Sequence, residues 1–203
     1  MSRILAAATL AVAFSATHAV PQQAQQVSFS FNGQELSISR QISVNQAKAA
    51  RFSVTQDGCS GLCLAPISAG TGVATIGEME VTKFLVDYTQ AGTGLLIDAR
   101  LPTARSDGFL PTSVNVPHQA VEDGNPYRNQ ILSALGAREY DGILNFSDAM
   151  DLVIFDAGPS DSRALKLIEN LLSAGYPPEK LRFYRGGMQV WASLGLNFVE
   201  QTQ

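Results

Sequence analysis

Two hydrophobic patterns divide the chain. Near the N-terminus, apolar and polar residues alternate on both sides of Asn32-Gly33 in the stretch "VSFSFNGQELSISR". Such alternation places apolar side chains on one face of a strand, and Asn-Gly favours the positive φ angles of a two-residue turn. The stretch therefore predicts a β-hairpin. From about residue 77 onward, short and continuously apolar runs alternate with segments of helical period.

The second part of the chain carries four apolar runs that predict strands, namely "GLLIDAR", "SVNVP", "DLVIF" and "KLRFYR". Four segments of helical period lie between or beside them, namely "GEMEVTKFLVDYTQAG", "NPYRNQILSALGA", "SRALKLIENLLSAG" and "GGMQVWASLG". In the first of these, Met79, Phe84 and Leu85 are expected to face inward. Apolar strands joined through helices are typical of a parallel sheet covered on both faces. The pattern predicts an α/β fold with a small β-hairpin extension before it.

The first residues have the pattern of a secretory signal peptide. Arg3 precedes an apolar run, Ile4–Phe14, and small residues at Thr17 and Ala19 suit a cleavage site. The run is too short to span a bilayer, and it lacks the amphipathic period of a buried helix. We expect cleavage near Ala19 and a periplasmic or secreted mature protein without a membrane span.

Composition agrees with a folded domain. The chain has 203 residues, of which 45% are hydrophobic and 16% are charged, enough to form a packed core. The net charge is −4 and the basic residues form no cluster, which argues against a nucleic-acid partner. We divide the chain into a signal peptide (1–19), an extension with the hairpin and both cysteines (20–76), and an α/β domain (77–200).

Only two cysteines, Cys59 and Cys63, occur in the chain, in the stretch "DGCSGLCLAP". In an exported protein a nearby pair usually closes a structural disulfide, and the glycines around this pair permit the required turn. The alternative is a redox or sulfur-carrying pair. Two sulfurs and the one histidine left after cleavage, His118, are too few for a closed zinc site. We expect neither a metal nor another cofactor.

Three segments, in this order, resemble the rhodanese domain over about residues 77–200. "LLIDAR" resembles the family's strand that ends in Asp-x-Arg, here Asp98 and Arg100, and in "GFLPTSVNVP" Thr112 replaces the usual glycine. The third segment is "LLSAGYPPEKLRFYRGGMQVWASLGL". The resemblance implies a rhodanese-like parallel sheet with helices on both faces. The extension, "CSGLCLAPISAGTGVATIGEMEV", resembles that of exported bacterial rhodanese-like proteins with two cysteines before the domain.

The departure from this family lies in the turn "VIFDAGPSDSRALKLIENLL". In active rhodaneses a cysteine ends the strand, and the N–H groups of the loop and the helix dipole lower the pKa of its thiol, which carries the persulfide. Here Asp156 stands at that position, and residues 151–203 contain no cysteine. The equivalents of the active-site loop are Asp156, Ala157, Gly158, Pro159, Ser160, Asp161, Ser162 and Arg163.

We expect the turn to be filled by its own side chains. Asp156 is expected to accept N–H groups of the loop, and Ser160, Asp161 and Ser162 are N-cap candidates. A carboxylate forms no stable persulfide, and its charge repels thiosulfate. The alternative of an aspartyl nucleophile for phosphoryl transfer requires a metal and further acidic groups, for which the sequence offers no plausible set. We therefore assign no catalytic residue.

Other residues are placed around the cleft by the resemblance. Asp98, Arg100 and Arg185 are cleft candidates, and for the first two we favour a structural role in which charge-assisted bonds hold the loops together. His118 is expected at the surface, and Trp191 is expected in the core.

The resulting hypothesis is an exported rhodanese-fold protein that is inactive as a sulfurtransferase and acts as a binding or scaffold module. Its partner would be an unidentified protein or a small anionic or sulfur-containing ligand. The alternative is a periplasmic sulfurtransferase, sulfur carrier or thiol-redox protein that uses Cys59 and Cys63. A cysteine-dependent phosphatase on a related scaffold fails because the loop has no thiol.

Overall fold

The computed structural model describes residues 26–40, 46–53 and 61–200. Its strands are β1 (Gln26–Phe31), β2 (Gln34–Ser39), β3 (Ala74–Ile76), β4 (Gly94–Asp98), β5 (Val114–Asn115), β6 (Arg138–Tyr140), β7 (Ile143–Asn145), β8 (Asp151–Phe155) and β9 (Leu181–Tyr184). Its α-helices are α1 (Gln46–Ala50), α2 (Glu78–Phe84), α3 (Pro102–Arg105), α4 (Arg128–Ala134), α5 (Arg163–Ser173) and α6 (Gly187–Ser193). A π-helical turn (Leu85–Thr89) continues α2, and 3₁₀ turns lie at His118–Val121 and Pro178–Lys180.

The central sheet has five strands in the order β3-β9-β8-β4-β5, and every neighbouring pair is parallel. The predicted α/β fold is confirmed. Strand β8 lies in the middle and all of its residues are buried, which accounts for its continuously apolar sequence. The four predicted strands are present, and the short β3 adds an edge strand that the sequence analysis did not predict.

Side chains alternate across β8 and supply two cores. Leu152 and Ile154 pack in the core that includes the buried face of α5. Val153 and Phe155 pack on the opposite face in the core that includes residues of α2 and α6 and the predicted core residue Trp191, which is fully buried. The sheet is therefore covered on both faces, as its apolar strands require.

Helix α2 is partly different from the prediction. Phe84 and Leu85 are buried, as expected, but Met79 is 54% exposed and its assignment to the core was wrong. Met79 lies in the first turn of α2, beside Val27 and Arg40 at the open end of the hairpin, where the elements leave a small cavity. The helical period predicts which face of α2 is apolar, but it does not predict that the first turn of the helix extends beyond the edge of the core.

The predicted N-terminal hairpin is also confirmed. Strands β1 and β2 pair antiparallel around Asn32 and Gly33, whose φ angles are +50° and +76°. The hairpin joins the α6 face through buried Phe29. Asn197 fixes its second strand, because its side-chain amide accepts from the Ser39 N–H at 2.7 Å and its own N–H donates to the Ser39 carbonyl at 3.1 Å.

A second hairpin, β6-β7, was not predicted. Its turn is Asp141-Gly142, with φ angles of +49° and +80°, a sequence that favours a two-residue turn. The Asp-Gly turn signal is therefore present in "EYDGIL". Strands of three residues are too short for the alternation of apolar and polar residues to predict them.

Several predictions about the N-terminal region lie outside the described residues, including the signal peptide (1–19) and Cys59. The division at residues 76 and 77 also stays a prediction. In the part of the chain that the structure describes, no helix is both long and apolar enough to cross a bilayer.

Thr112 has a backbone conformation that favours glycine. Its φ angle is +67°, a left-handed conformation that is unfavourable for a β-branched residue. Its hydroxyl is also buried and forms no hydrogen bond among the described residues. The two features together lower the stability of the folded chain.

We expect Thr112→Gly to stabilise the protein by on the order of 1 kcal/mol, because relief of backbone strain exceeds the entropic cost of glycine. The melting temperature should rise by roughly 2–4 °C in a thermal unfolding experiment. The matched control is Thr103→Gly in α3, where glycine lowers helix propensity and stability should fall. A lower melting temperature for Thr112→Gly would contradict the assignment of strain.

Candidate functional site

The candidate site lies at the carboxyl edge of the central sheet, where β8 leads through residues 156–162 into α5. The loop is held closely against α6. A Cβ atom on Gly187, whose φ is +55°, would lie 2.5 Å from the Asp156 carbonyl oxygen. The N–H groups of Met188 and Gln189 donate to the carbonyls of Asp156 and Ala157 at 3.1 and 2.8 Å. The start of α6 therefore fixes the backbone of the loop.

Asp156 is buried, with 1% of its surface exposed, and its carboxylate bridges the loop and the helix. Its Oδ1 accepts the Gly158 N–H at 3.1 Å, and its Oδ2 accepts the Ala164 N–H at 2.9 Å. The expectation that Asp156 accepts N–H groups of the loop is confirmed. This carboxylate supplies an acceptor to the first turn of α5, where backbone donors have no partner within the helix.

Asp161 completes the arrangement. Its Oδ1 accepts the N–H groups of Ser162 and Arg163 at 2.8 and 3.2 Å, and its Oδ2 accepts the Ala157 N–H at 3.2 Å. The Arg163 guanidinium also donates to Asp161 Oδ2 at 2.9 Å. Ser162 occupies the N-cap position of α5, but its side chain forms no capping bond, so the carboxylates take over that role.

Together the two carboxylates accept five backbone N–H groups of this turn, those of Ala157, Gly158, Ser162, Arg163 and Ala164. A strand–loop–helix turn of this kind binds an external anion when such donors are unoccupied. Here internal acceptors already hold them. An external anion would have to replace an existing hydrogen bond at each of these donors.

Burial and the charge of Asp161 raise the pKa of Asp156 to about 8, although the N–H bonds from Ala164 and Gly158 favour its ionised form. Two carboxylates in one buried turn resist simultaneous ionisation. The folded loop therefore retains a proton at a pH where the unfolded chain has lost it.

Asp98 and Arg100 are buried, with 0% and 1% of their surfaces exposed. Arg100 donates to both carboxylate oxygens of Asp98, at 2.9 and 2.7 Å, and to the carbonyls of Ala104 and Gly108. Arg105 donates to Asp98 at 3.1 Å. These hydrogen bonds hold the segment between β4 and β5 in place, and the Arg100 guanidinium also lies 5.8 Å from the ring centroid of Phe52 in the extension.

His118 is placed differently from the prediction. It is only 8% exposed, so its assignment to the surface was wrong. Its N–H donates to the Ala99 carbonyl at 3.2 Å, and its carbonyl accepts the side chain of Asn170 in α5 at 3.0 Å. These bonds seat it between the end of β4 and α5. Burial, followed by the charge of Lys166, lowers the pKa of His118.

Residues 61–73, which we call the strap, reach the site from the extension. The Ala65 N–H donates to the Pro159 carbonyl at 2.7 Å, and the Arg185 Nε donates to the Ala65 carbonyl at 2.9 Å. The cleft candidate Arg185 is therefore engaged by the strap. This contact could not be predicted from the sequence, because no local pattern marks a segment that binds through its backbone.

Cys63 lies in the strap, two residues before Ala65, with a φ angle of +52°. Among the described residues no cysteine is free. Its pairing with Cys59 stays a prediction, since Cys59 lies outside those residues. In the same ranges, no group of three or more histidine, cysteine or acidic residues is arranged to hold a metal ion.

The buried proton of the loop predicts a pH dependence. In wild type, the titration of Asp156 should lower the unfolding free energy as pH rises from about 4 to about 8, by up to about 1 kcal/mol per pH unit. The reason is that the unfolded chain releases the proton in this range and the folded chain keeps it. In Asp156→Asn this component is absent.

Urea unfolding of both proteins at a series of pH values isolates this component, because shared contributions such as that of His118 cancel in the difference. The exposed variant Asp123→Asn is the control and should follow wild type. If the difference in unfolding free energy between wild type and Asp156→Asn is constant across this pH range, the raised pKa of Asp156 is refuted.

Comparison with known proteins supports the fold. The family model for the rhodanese-like domain matches residues 82–194. A search of curated proteins found no significant match. Solved structures with similar folds include reduced CoADR-RHD of Bacillus anthracis, with 20% identity and a TM-score of 0.41. The alignment covers 61% of the present chain, which spans 17% of that protein.

Two smaller proteins are similar over most of their own length. The human single-domain sulfurtransferase has 22% identity and a TM-score of 0.40, with 59% of the present chain and 95% of that chain covered. A possible tyrosine phosphatase of unknown function from Rhodopseudomonas palustris has 17% identity and a TM-score of 0.45, with 64% and 88% covered. At these identities and TM-scores, the solved structures carry no conclusion about this chain. Since the family match spans more than half of the chain, the protein belongs to the rhodanese-like domain family.

Proposed function

We propose that this protein is an exported rhodanese-fold binding module that does not transfer sulfur. The observation that carries the proposal is the set of five backbone N–H groups bonded to Asp156 and Asp161. The donors that would stabilise a thiolate, a persulfide or a bound anion already have acceptors. The turn therefore keeps its shape and has lost the anion-binding capacity of such turns.

The chemistry of the side chain supports inactivity. Sulfur transfer from thiosulfate to cyanide requires a nucleophile that first takes the outer sulfur, releases sulfite, and then yields the sulfur to cyanide as thiocyanate. A carboxylate forms no stable persulfide, and residues 151–203 contain no cysteine. The human neighbour is named a sulfurtransferase. That activity is not carried over to this chain, because the group that it requires is absent from the turn.

A sulfurtransferase assay on the purified mature protein tests the proposal. With thiosulfate and cyanide, we expect no thiocyanate above background from wild type. We also expect none from Asp156→Cys, because Asp161 still accepts three of the N–H groups that would otherwise stabilise the new thiolate. The control for a new thiol elsewhere is Asp123→Cys. Robust turnover by Asp156→Cys would mean that the N–H groups of the loop and of the start of α5 can still stabilise a thiolate. That result would contradict the proposed loss of anion binding.

A second function has one observation in its favour. Cys63 lies two residues before Ala65, whose N–H contacts the loop at Pro159. A sulfur-carrying or redox role of the Cys59–Cys63 pair would place that chemistry next to the loop. After a dithiol reductant has opened the disulfide and been removed, a thiolate of the pair could take the outer sulfur of thiosulfate and release sulfite. Turnover by this reduced wild type that Cys63→Ser abolishes, together with a gain of one sulfur atom in the intact mass, would establish this function and overturn the first.

A further inference from the structure

The strap is bound to the site in the manner of an extended peptide ligand. Ala65 uses both of its backbone groups, donating its N–H to the Pro159 carbonyl at 2.7 Å and accepting from Arg185 Nε at 2.9 Å. A single peptide residue thus bonds both the Pro159 carbonyl of the loop and the side chain of Arg185, which follows β9. A simple anion offers no donor for the Pro159 carbonyl, so the pair of groups selects a polypeptide backbone.

The seat around Ala65 takes only a small side chain. Ala65 is 4% exposed and belongs to the same buried cluster as Ala164 and Ile168 at the start of α5. The large apolar side chains nearest to Ala65 face solvent, with Leu62 89% exposed and Ile67 72% exposed, whereas Val73 at the far end of the strap is buried in the same cluster. At Ala65 itself the strap is held by the two hydrogen bonds of its backbone groups and by one buried methyl group.

We propose that the seat formed by the Pro159 carbonyl and the Arg185 side chain is a binding site for an extended polypeptide with a small residue at Ala65's position. The protein's own strap fills this site in cis, and a partner polypeptide replaces it. This inference rests on the proposed function, because it names the class of partner for the same site. The partner must supply an N–H and a carbonyl from one residue, and a side chain no larger than that of alanine.

Tethering explains why the site stays closed without a partner. A covalently attached segment competes at an effective concentration in the millimolar range. A free peptide must therefore bind wild type weakly, and removal of the strap from the seat should raise its apparent affinity. The exposed apolar side chains on both sides of Ala65 leave room for a partner to gain contacts that the strap does not make.

The test uses a fluorescently labelled peptide, GLSLAPISAG, which is the 61–70 sequence with serine in place of Cys63. Ala65→Glu in the full chain places a charge in the seat and expels the strap. By fluorescence anisotropy, we expect this variant to bind the peptide at least about tenfold more tightly than wild type. The matched control, Ala91→Glu at an exposed alanine, should bind as weakly as wild type.

Two further arms establish where the peptide binds. Ala65→Glu combined with Arg185→Gln should lose the gain in affinity, and a peptide that carries glutamate at the seat position should not bind. If folded Ala65→Glu binds the peptide no more tightly than wild type, or if the Arg185→Gln combination retains the gain, the proposal is wrong. The sulfurtransferase assay is independent, so a failure here leaves proposed inactivity as it stands.

Hydrogen exchange on wild type covers the case in which Ala65→Glu fails to fold. Excess peptide should accelerate exchange of the Ala65 amide, since the cis strap leaves the seat, and unchanged exchange would contradict replacement. A second copy of the chain is the other possible occupant. A wild-type dimer whose formation depends on Ala65 would assign the seat to strap exchange between copies and would overturn the assignment to a separate partner.

Discussion

The structure depends on how the buried turn after β8 satisfies its backbone donors. A buried N–H without an acceptor costs free energy comparable to a lost hydrogen bond, so the turn must find acceptors. Asp156 and Asp161 supply them from within the turn itself. Donors at the start of α6 hold the carbonyls of Asp156 and Ala157, and the Ala65 N–H of the strap donates to the Pro159 carbonyl of the same loop. The loop is thereby fixed by its own carboxylates, by the start of α6 and by the strap.

This arrangement has an electrostatic cost. Two carboxylates in one buried turn resist ionising together. Burial and the charge of Asp161 therefore raise the pKa of Asp156. The N–H bonds and the guanidinium of Arg163 offset part of that cost. The turn is thus filled by its own side chains, and the binding site that we propose lies at the strap, outside the carboxylate pair.

The architecture could be predicted because its signals are local. Apolar strands, helical periods and the Asn-Gly turn each act within a few residues, and the N–H bonds accepted by Asp156 follow from its place in a strand–loop–helix turn. What failed depends on distant contacts. The burial of His118 arises from α5, the exposure of Met79 arises from the open end of the hairpin, and the seat of Ala65 arises from a backbone pairing between residues far apart in sequence.

Amide chemical shifts measured while thiosulfate is added test the central claim most directly. In ¹⁵N-labelled protein, the signals of Ala157, Gly158, Ser162, Arg163 and Ala164 should stay unchanged in excess thiosulfate, because their N–H groups are bonded to the two carboxylates. Saturable shifts confined to these five amides would show an open anion site and contradict the account.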